Sequence, residues 1–162
     1  MIISTDQAHK ILIVSDDLTG ACDAASPFCE HGFRVKVLVD PVKSFQTRDL
    51  IEADVISINT NSRRYGPEKA AKFVSECLWK FDLNDFRYIV KKIDSTLRGS
   101  LVSEVRAVMD TFAIKEAYVA PAFPDQSRVV RDGQVFVDGI SLDKTEYAND
   151  AISPASKSNL NQ

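Results

Sequence analysis

The sequence predicts an α/β fold: a mostly parallel sheet with helices on both faces, in three layers, plus a C-terminal β-hairpin. Three observations predict it. Short, continuous β-branched runs recur along the chain, the pattern of strands buried on both faces. Segments with an apolar stripe at helical spacing alternate with those runs, which implies parallel strands joined by crossover helices. Beyond Pro124 that alternation stops, and two short apolar runs flank Asp132-Gly133, a hairpin turn signal.

The elements follow in order. Residues 1–9 form a polar tail. Ile11-Leu12-Ile13-Val14 is the first strand, followed by a turn at 15–20 and a helix over about 21–30. Gly32 suits the left-handed position just past a helix end. Residues 35–39 read as the second strand, which Pro41 helps to stop. The third, 55–58, runs into the polar cluster Asn59-Thr60-Asn61-Ser62-Arg63-Arg64. Gly66-Pro67 opens a second helix, with Pro67 at the first position, where no donor is needed. Its stripe is Ala70, Phe73, Val74, Cys77 and Leu78. Residues 88–90 begin a fourth strand, and Leu101, Val105, Val108, Met109 and Phe112 mark the inner face of a third helix. Residues 117–120 read as a fifth strand ending at Pro121. Residues 128–130 and 134–137 are the arms of the hairpin. Residues 10–150 therefore form one domain, and 151–162 have the composition of a linker.

The bulk numbers fit that reading. A chain of 162 residues, 44% hydrophobic and 27% charged, can bury one sizeable core. A net charge of −3 gives no basic footprint for nucleic acid or an acidic membrane. No apolar run approaches the ~20 residues that cross a bilayer. Cys22, Cys29 and Cys77 form no ligand-spaced cluster with His9 or His31, so they read as free thiols in a reducing compartment. Cys22 and Cys29 are expected in the core of the first helix. The cytoplasm is the expected location. No metal ligands, no nucleophile elbow, no Walker A loop and no GxGxxG stand in the sequence.

Ligands of open α/β sheets bind outside the carboxyl ends of the strands. Three polar clusters fall there: 15–20, 59–64 and 91–99. They should share one rim. Asp16 and Asp17, adjacent at a strand-to-helix turn, can orient a hydroxyl and accept its proton. The plainer reading has Asp17 or Thr19 cap the helix, and both roles can share one pair. In the segment Lys91-Lys92-Ile93-Asp94-Ser95-Thr96-Leu97-Arg98-Gly99, alternation puts Lys92 and Asp94 on one face and Lys91 on the other. Arg98 offers a planar fork for a carboxylate or phosphate, and Lys92 a point charge. Ser95, Thr96 and Gly99 can present donors near a helix start. Arg63 and Arg64 add positive charge, at least one of them on the surface, and Arg128 could reach the same rim.

These segments resemble the N-terminal domain of the four-carbon acid sugar kinase family. The matching motifs are Ser15-Asp16-Asp17-Leu18-Thr19-Gly20-Ala21, the 91–99 segment just quoted, and Ala120-Pro121-Ala122-Phe123-Pro124. Asp138-Gly139 and Thr145-Glu146-Tyr147-Ala148 are also similar, so the resemblance covers about residues 10–154. It implies a kinase that phosphorylates erythronate, threonate or 3-oxo-tetronates at the terminal hydroxyl. It implies ATP with Mg2+, held by a C-terminal nucleotide-binding domain in cis or in trans, and a fragment that is inactive alone. Carried over, Asp16 and Asp17 are the catalytic residues. Lys92, Asp94, Ser95, Arg98 and Gly99 bind the sugar acid, with Arg63 and Arg128 as further candidates. The resemblance departs at one point: the family usually has Gly where Ser127 stands before Arg128. The partners implied are a small sugar acid and the nucleotide domain, with a homo-oligomer compatible, and no nucleic acid or membrane. The alternatives are a non-catalytic acid-sugar-binding or regulatory module and a haloacid-dehalogenase-like phosphatase, whose two Asp residues want one position between them.

Overall fold

Residues 10–44, 52–155 and 157–161 are described by the computed structural model; the polar tail expected at 1–9 lies outside them. Strands β1 (Lys10–Ser15), β2 (Val35–Leu38), β3 (Val55–Asn59) and β4 (Phe86–Lys92) form a parallel sheet in the order β2-β3-β1-β4. Helices α1 (Leu18–Glu30), α2 (Pro41–Ser44), α3 (Pro67–Leu78) and α4 (Leu101–Thr111) connect and extend them.

The strand pattern divides the core into two layers. Ile13 and Val55 point to one face, against Ala25 of α1. Leu12, Val14, Ile56, Ile58 and Ile89 point to the other, against Val74 and Leu78 of α3 and Val108 of α4. Each fully buried Leu or Ile contributes about 2 kcal/mol. Helix α1 crosses from β1 towards β2, and α3 crosses from β3 past β1 to β4. Right-handed crossovers running in opposite directions must lie on opposite faces, which is what the two layers show. The register then sets the rim: Ser15 pairs with Asn59 on one side and Lys92 on the other. The three polar clusters therefore start at one level. The chain leaves β1 towards one face and leaves its neighbours β3 and β4 towards the other, opening a crevice at a topological switch point.

The C-terminal region is a small antiparallel sheet of β5 (Arg128–Arg131), β6 (Gln134–Val137) and β7 (Ile140–Ser141). Asp132 and Gly133 have φ of 49° and 75°, both positive as a tight two-residue hairpin turn requires. Val135, Val137, Leu142 and Ala155 form its core, and Leu97 from the β4–α4 loop packs against them. That contact draws the small sheet onto the rim.

The structure corrects three expectations. Residues 117–120 are not a strand, and Tyr118 and Val119 are 74% and 54% exposed. Their composition suits a strand, but composition supplies no hydrogen-bonding edge. Cys22 and Cys29 are exposed, because α1 turns its small residues Ala21 and Ala25 to the sheet and the two cysteines lie on its outer side. The tail beyond 151 does pack: Val135 donates to the Ser158 carbonyl and Leu160 donates to that of Gly133, at 2.8 Å each, which ties the tail along β6. No helix among the described residues is long and apolar enough to cross a membrane.

Candidate functional site

The turn after β1 builds the first wall. Asp17 is the N-cap of α1, and its Oδ1 accepts from Gly20 N at 2.8 Å. A Cβ on Gly20 would lie 2.6 Å from that Oδ1 and 2.8 Å from Ser15 Oγ, so a larger residue here would push the capping carboxylate and the serine hydroxyl aside. Arg63 reaches across from the loop after β3. Its Nε and Nη2 donate to the two oxygens of Asp16 at 2.7 and 3.0 Å, and its Nη1 donates to Asp17 Oδ2 at 2.8 Å. Burial lowers the affinity of Arg63 for its proton, but the Asp16 and Asp17 carboxylates outweigh that and the net shift is upward. Asp16 is 3% exposed and sits behind the wall. Gly99 supports it from the rear: its φ is +96°, and a Cβ there would meet Asp16 Oδ2 at 3.2 Å.

The β4–α4 loop builds the second wall. Arg98 Nε donates to Asp94 Oδ2 at 2.6 Å, and its Nη1 to Asp150 Oδ2 at 3.2 Å. Thr96 also donates to Asp94 Oδ2. Burial pushes the Asp94 carboxyl up, but the hydrogen bonds from Arg98 and Thr96 and the positive charges nearby hold it below the usual carboxylate range. Arg98 is raised in turn, first by its hydrogen bond to Asp94. Lys92 Nζ donates to the Ile93 carbonyl at 2.8 Å.

Arg128, the first residue of β5, closes the third side. Its Nη1 donates to Ser95 Oγ at 2.6 Å and its Nη2 to Tyr147 Oη at 3.3 Å. Its Nε is buried without a hydrogen-bond partner among the described residues. The guanidinium groups of Arg98 and Arg128 lie 5.5 and 5.7 Å from the Tyr147 ring, within cation–π range.

These walls enclose a cavity of about 420 Å³, lined among others by Asp17, Arg63, Lys92, Asp94, Ser95, Arg98 and Arg128. The residues named from sequence are thus brought together, with Asp16 and Gly99 behind the surface. Of the 59–64 cluster, Arg63 reaches the cavity. Asn59, Thr60 and Ser62 are buried, Thr60 donating to the Ser15 carbonyl at 2.8 Å, and Arg64 lies over the Tyr65 ring. Asp23 and Gln126 also line the cavity and were not named from sequence. Asp23 follows Gly20 by three residues, so helical spacing from the turn would have placed it on the same face. Tyr147 and Asp150 support the two arginines from the segment after β7; Tyr147 lies in the Thr145–Ala148 motif quoted from the sequence, which gave it no role, and Asp150 was not named.

The arrangement has one chemical consequence. Arg63 and Arg98 each hold carboxylates, whereas Arg128 and Lys92 form no ion pair among the described residues. The cavity thus offers two unneutralised cations beside several hydroxyl and carboxylate acceptors. Among the described residues no group of three or more His, Cys, Asp or Glu could hold a metal ion.

Comparison with known proteins gives the family of the chain. Residues 11–162 match the family described as "Sugar-binding N-terminal domain". A D-threonate kinase of Salmonella typhimurium is 33% identical over 152 residues, covering 93% of this chain and 35% of that protein. A D-erythronate kinase of Heliobacterium modesticaldum is 33% identical over 90% of this chain and 33% of its own length. A 3-oxo-tetronate kinase of Brucella melitensis is 26% identical over 93% of this chain and 35% of its own. The chain thus spans about a third of the length of these relatives. A crystal structure from Bordetella bronchiseptica, a domain-swapped dimer with bound citrate, superposes with a TM-score of 0.83 at 30% identity, over 94% of this chain and 39% of that one. On this match the chain belongs to the sugar-binding N-terminal domain family.

Proposed function

We propose that this chain holds a four-carbon acid sugar for phosphorylation at its terminal hydroxyl, as the substrate-binding part of an ATP-dependent kinase. The observation that carries the reading is Arg128, a part-buried cation in the cavity with no carboxylate partner among the described residues. A ligand carboxylate would supply that partner and meet a planar fork. Lys92 adds a second positive charge. Asp94, Ser95 and Asp23 then face the hydroxyls of the acid, and Asp17 stands at the far end of the cavity. Each Asp17 oxygen already accepts one bond, yet a carboxylate has about four lone-pair sites, so it can still accept from a substrate hydroxyl. Phosphoryl transfer asks mainly for positioning and charge neutralisation, which these residues provide for the acceptor. The names of the relatives support the substrate class, and the citrate in the Bordetella structure supports a carboxylate ligand.

The phosphoryl donor does not fit here. Asp16, Asp17 and Asp94 are all engaged by arginines, which leaves those carboxylates poorly placed to hold Mg2+. In this reading a C-terminal nucleotide-binding domain, in cis or in trans, supplies ATP and Mg2+. Self-association is compatible with it. The phosphatase alternative asks for a free carboxylate nucleophile, and Asp16 is instead locked by two bonds from Arg63.

Calorimetry tests the reading. D-threonate or D-erythronate should bind, and the neutral polyols threitol and erythritol should bind at least roughly tenfold more weakly, because they leave Arg128 unpaired. Equal affinity for acid and polyol, or no binding of any acid at millimolar concentration, would sink the proposal.

A further inference from the structure

The sugar-binding reading makes no use of one buried ion pair. Lys91 Nζ lies 2.9 Å from Glu104 Oε2, and the two side chains are 1% and 2% exposed. Burying two charges carries a desolvation cost that their attraction only partly repays, and apolar residues of the same volume often stabilise a core as well or better. The pairing is also incomplete, since Glu104 Oε1 has no hydrogen-bond partner among the described residues. Stability alone is thus a poor account of this pair.

Its location offers a better one. Lys91 lies on the face of β4 opposite Lys92, and Glu104 lies in the first turn of α4. The intervening loop carries Asp94, Ser95, Arg98 and Gly99. The pair therefore joins the two ends of the segment that forms one cavity wall. Lys91 Nζ also donates to the Lys92 carbonyl at 3.0 Å, next to the Ile93 carbonyl that Lys92 holds. The ladder with β1 ends at Ser15 and Lys92, so two ammonium groups grip the backbone where the sheet stops. Inside the loop Leu97 has φ of +55°, a conformation that costs an L-residue free energy and relaxes unless its surroundings hold it.

We propose that Lys91 and Glu104 are positioning residues: their pair clamps both ends of the β4–α4 loop and keeps the cavity wall in its ligand-ready shape before any acid binds. The consequence for affinity rests on the function proposed above; the consequence for the loop does not.

The test is the double variant Lys91→Met/Glu104→Leu, which removes both charges and leaves no lone buried ion. Its melting temperature should equal or exceed that of the wild type. Amide hydrogen exchange at residues 93–99 should quicken by about tenfold while α1 and α3 stay unchanged, and affinity for D-threonate or D-erythronate should fall by about tenfold, since the loop must then order on binding. Unchanged exchange at 93–99 in the folded double variant overturns the clamp, whatever the affinity does. If the wild type binds neither acid, the proposed function fails, and the exchange experiment still decides the clamp. Should the double variant unfold, Lys91→Met/Glu104→Gln, which keeps the side-chain volumes and likewise leaves no lone buried ion, carries the same exchange reading with the same criterion.

Discussion

The two ends of the cavity are both built around an arginine, and they differ in how its charge is met. At the Asp16–Asp17 end, Arg63 places three donors on two carboxylates, one of them 3% exposed. At the Ser95–Tyr147 end, Arg128 places two donors on neutral hydroxyls and keeps a third without a partner among the described residues. The first end is closed, its arginine fully paired by two carboxylates, and belongs to the parallel sheet. The second is open and belongs to the small C-terminal sheet. Charge satisfied within the chain serves the fold; charge left over is available to a ligand.

Removing a carboxylate from the closed end gives the largest effect on stability. Asp16→Ala removes a buried carboxylate and two of the three bonds that hold Arg63, leaving Asp17 as its partner, and should destabilise the chain by about 2 kcal/mol in urea unfolding. Arg128→Ala should cost less than about 1 kcal/mol in the same measurement, since it removes a charge that had no counter-ion. A larger loss for Arg128→Ala than for Asp16→Ala would reverse the comparison.

Ligand affinity should invert that order. Arg128→Ala should weaken acid-sugar binding by roughly ten- to a hundredfold, the worth of hydrogen bonds to a charged group, and should leave the polyols almost unaffected. Arg128→Lys keeps the charge but not the fork, so it should recover only part of the loss. Titration calorimetry with matched acid and polyol reads both. Full recovery by lysine would show that charge alone suffices.

The closed end was more legible in the sequence than the open end, for a physical reason. Strands of one parallel sheet end on one rim, so polar clusters after Ser15, Asn59 and Lys92 had to converge once the alternation was read. The open end depends on contacts between distant parts of the chain. Arg128 is placed by Leu97 packing into the small sheet, and Tyr147 by the fold of the tail. Both residues stand in segments quoted from the sequence, but no local pattern encodes that they meet. Residues 117–120 show the opposite failure: Tyr118-Val119-Ala120 has strand composition, but a strand exists only where an edge accepts it. Cys22 and Cys29 show a third. Alanine and cysteine can both line a core, and the close approach of α1 to the sheet selected the smaller pair, Ala21 and Ala25.

Acid should loosen the wall between the two ends. The Asp94 carboxyl is held below its ordinary range, because hydrogen bonds from Arg98 and Thr96 outweigh burial. A carboxylate depressed in the folded state binds fewer protons there than in the unfolded chain. Its stabilising contribution is therefore complete above the ordinary Asp value of about 3.9 and is lost as pH falls through the lower folded value. The stability difference between the wild type and Asp94→Asn should be flat from neutral pH down to about pH 5 and shrink in stronger acid. A difference that grows on acidification would contradict the assigned direction.

The smallest effect concerns the residue that aims Arg128. Ser127 directly precedes Arg128, and its φ of 52° is left-handed. That conformation costs a serine about 1 kcal/mol relative to glycine, while glycine loses somewhat less than that through the greater freedom of its unfolded chain. Ser127→Gly should therefore stabilise by about 0.5 kcal/mol. Its backbone bonds need not change: Ser127 N donates to the Pro124 carbonyl at 2.8 Å, and its own carbonyl accepts from Asp138 N at 3.0 Å. Arg128 should then keep its aim and its affinity for the acid. If Ser127→Gly gained stability but lost binding, the serine would be orienting the arginine through more than its backbone, and the open end would owe its geometry to that one side chain.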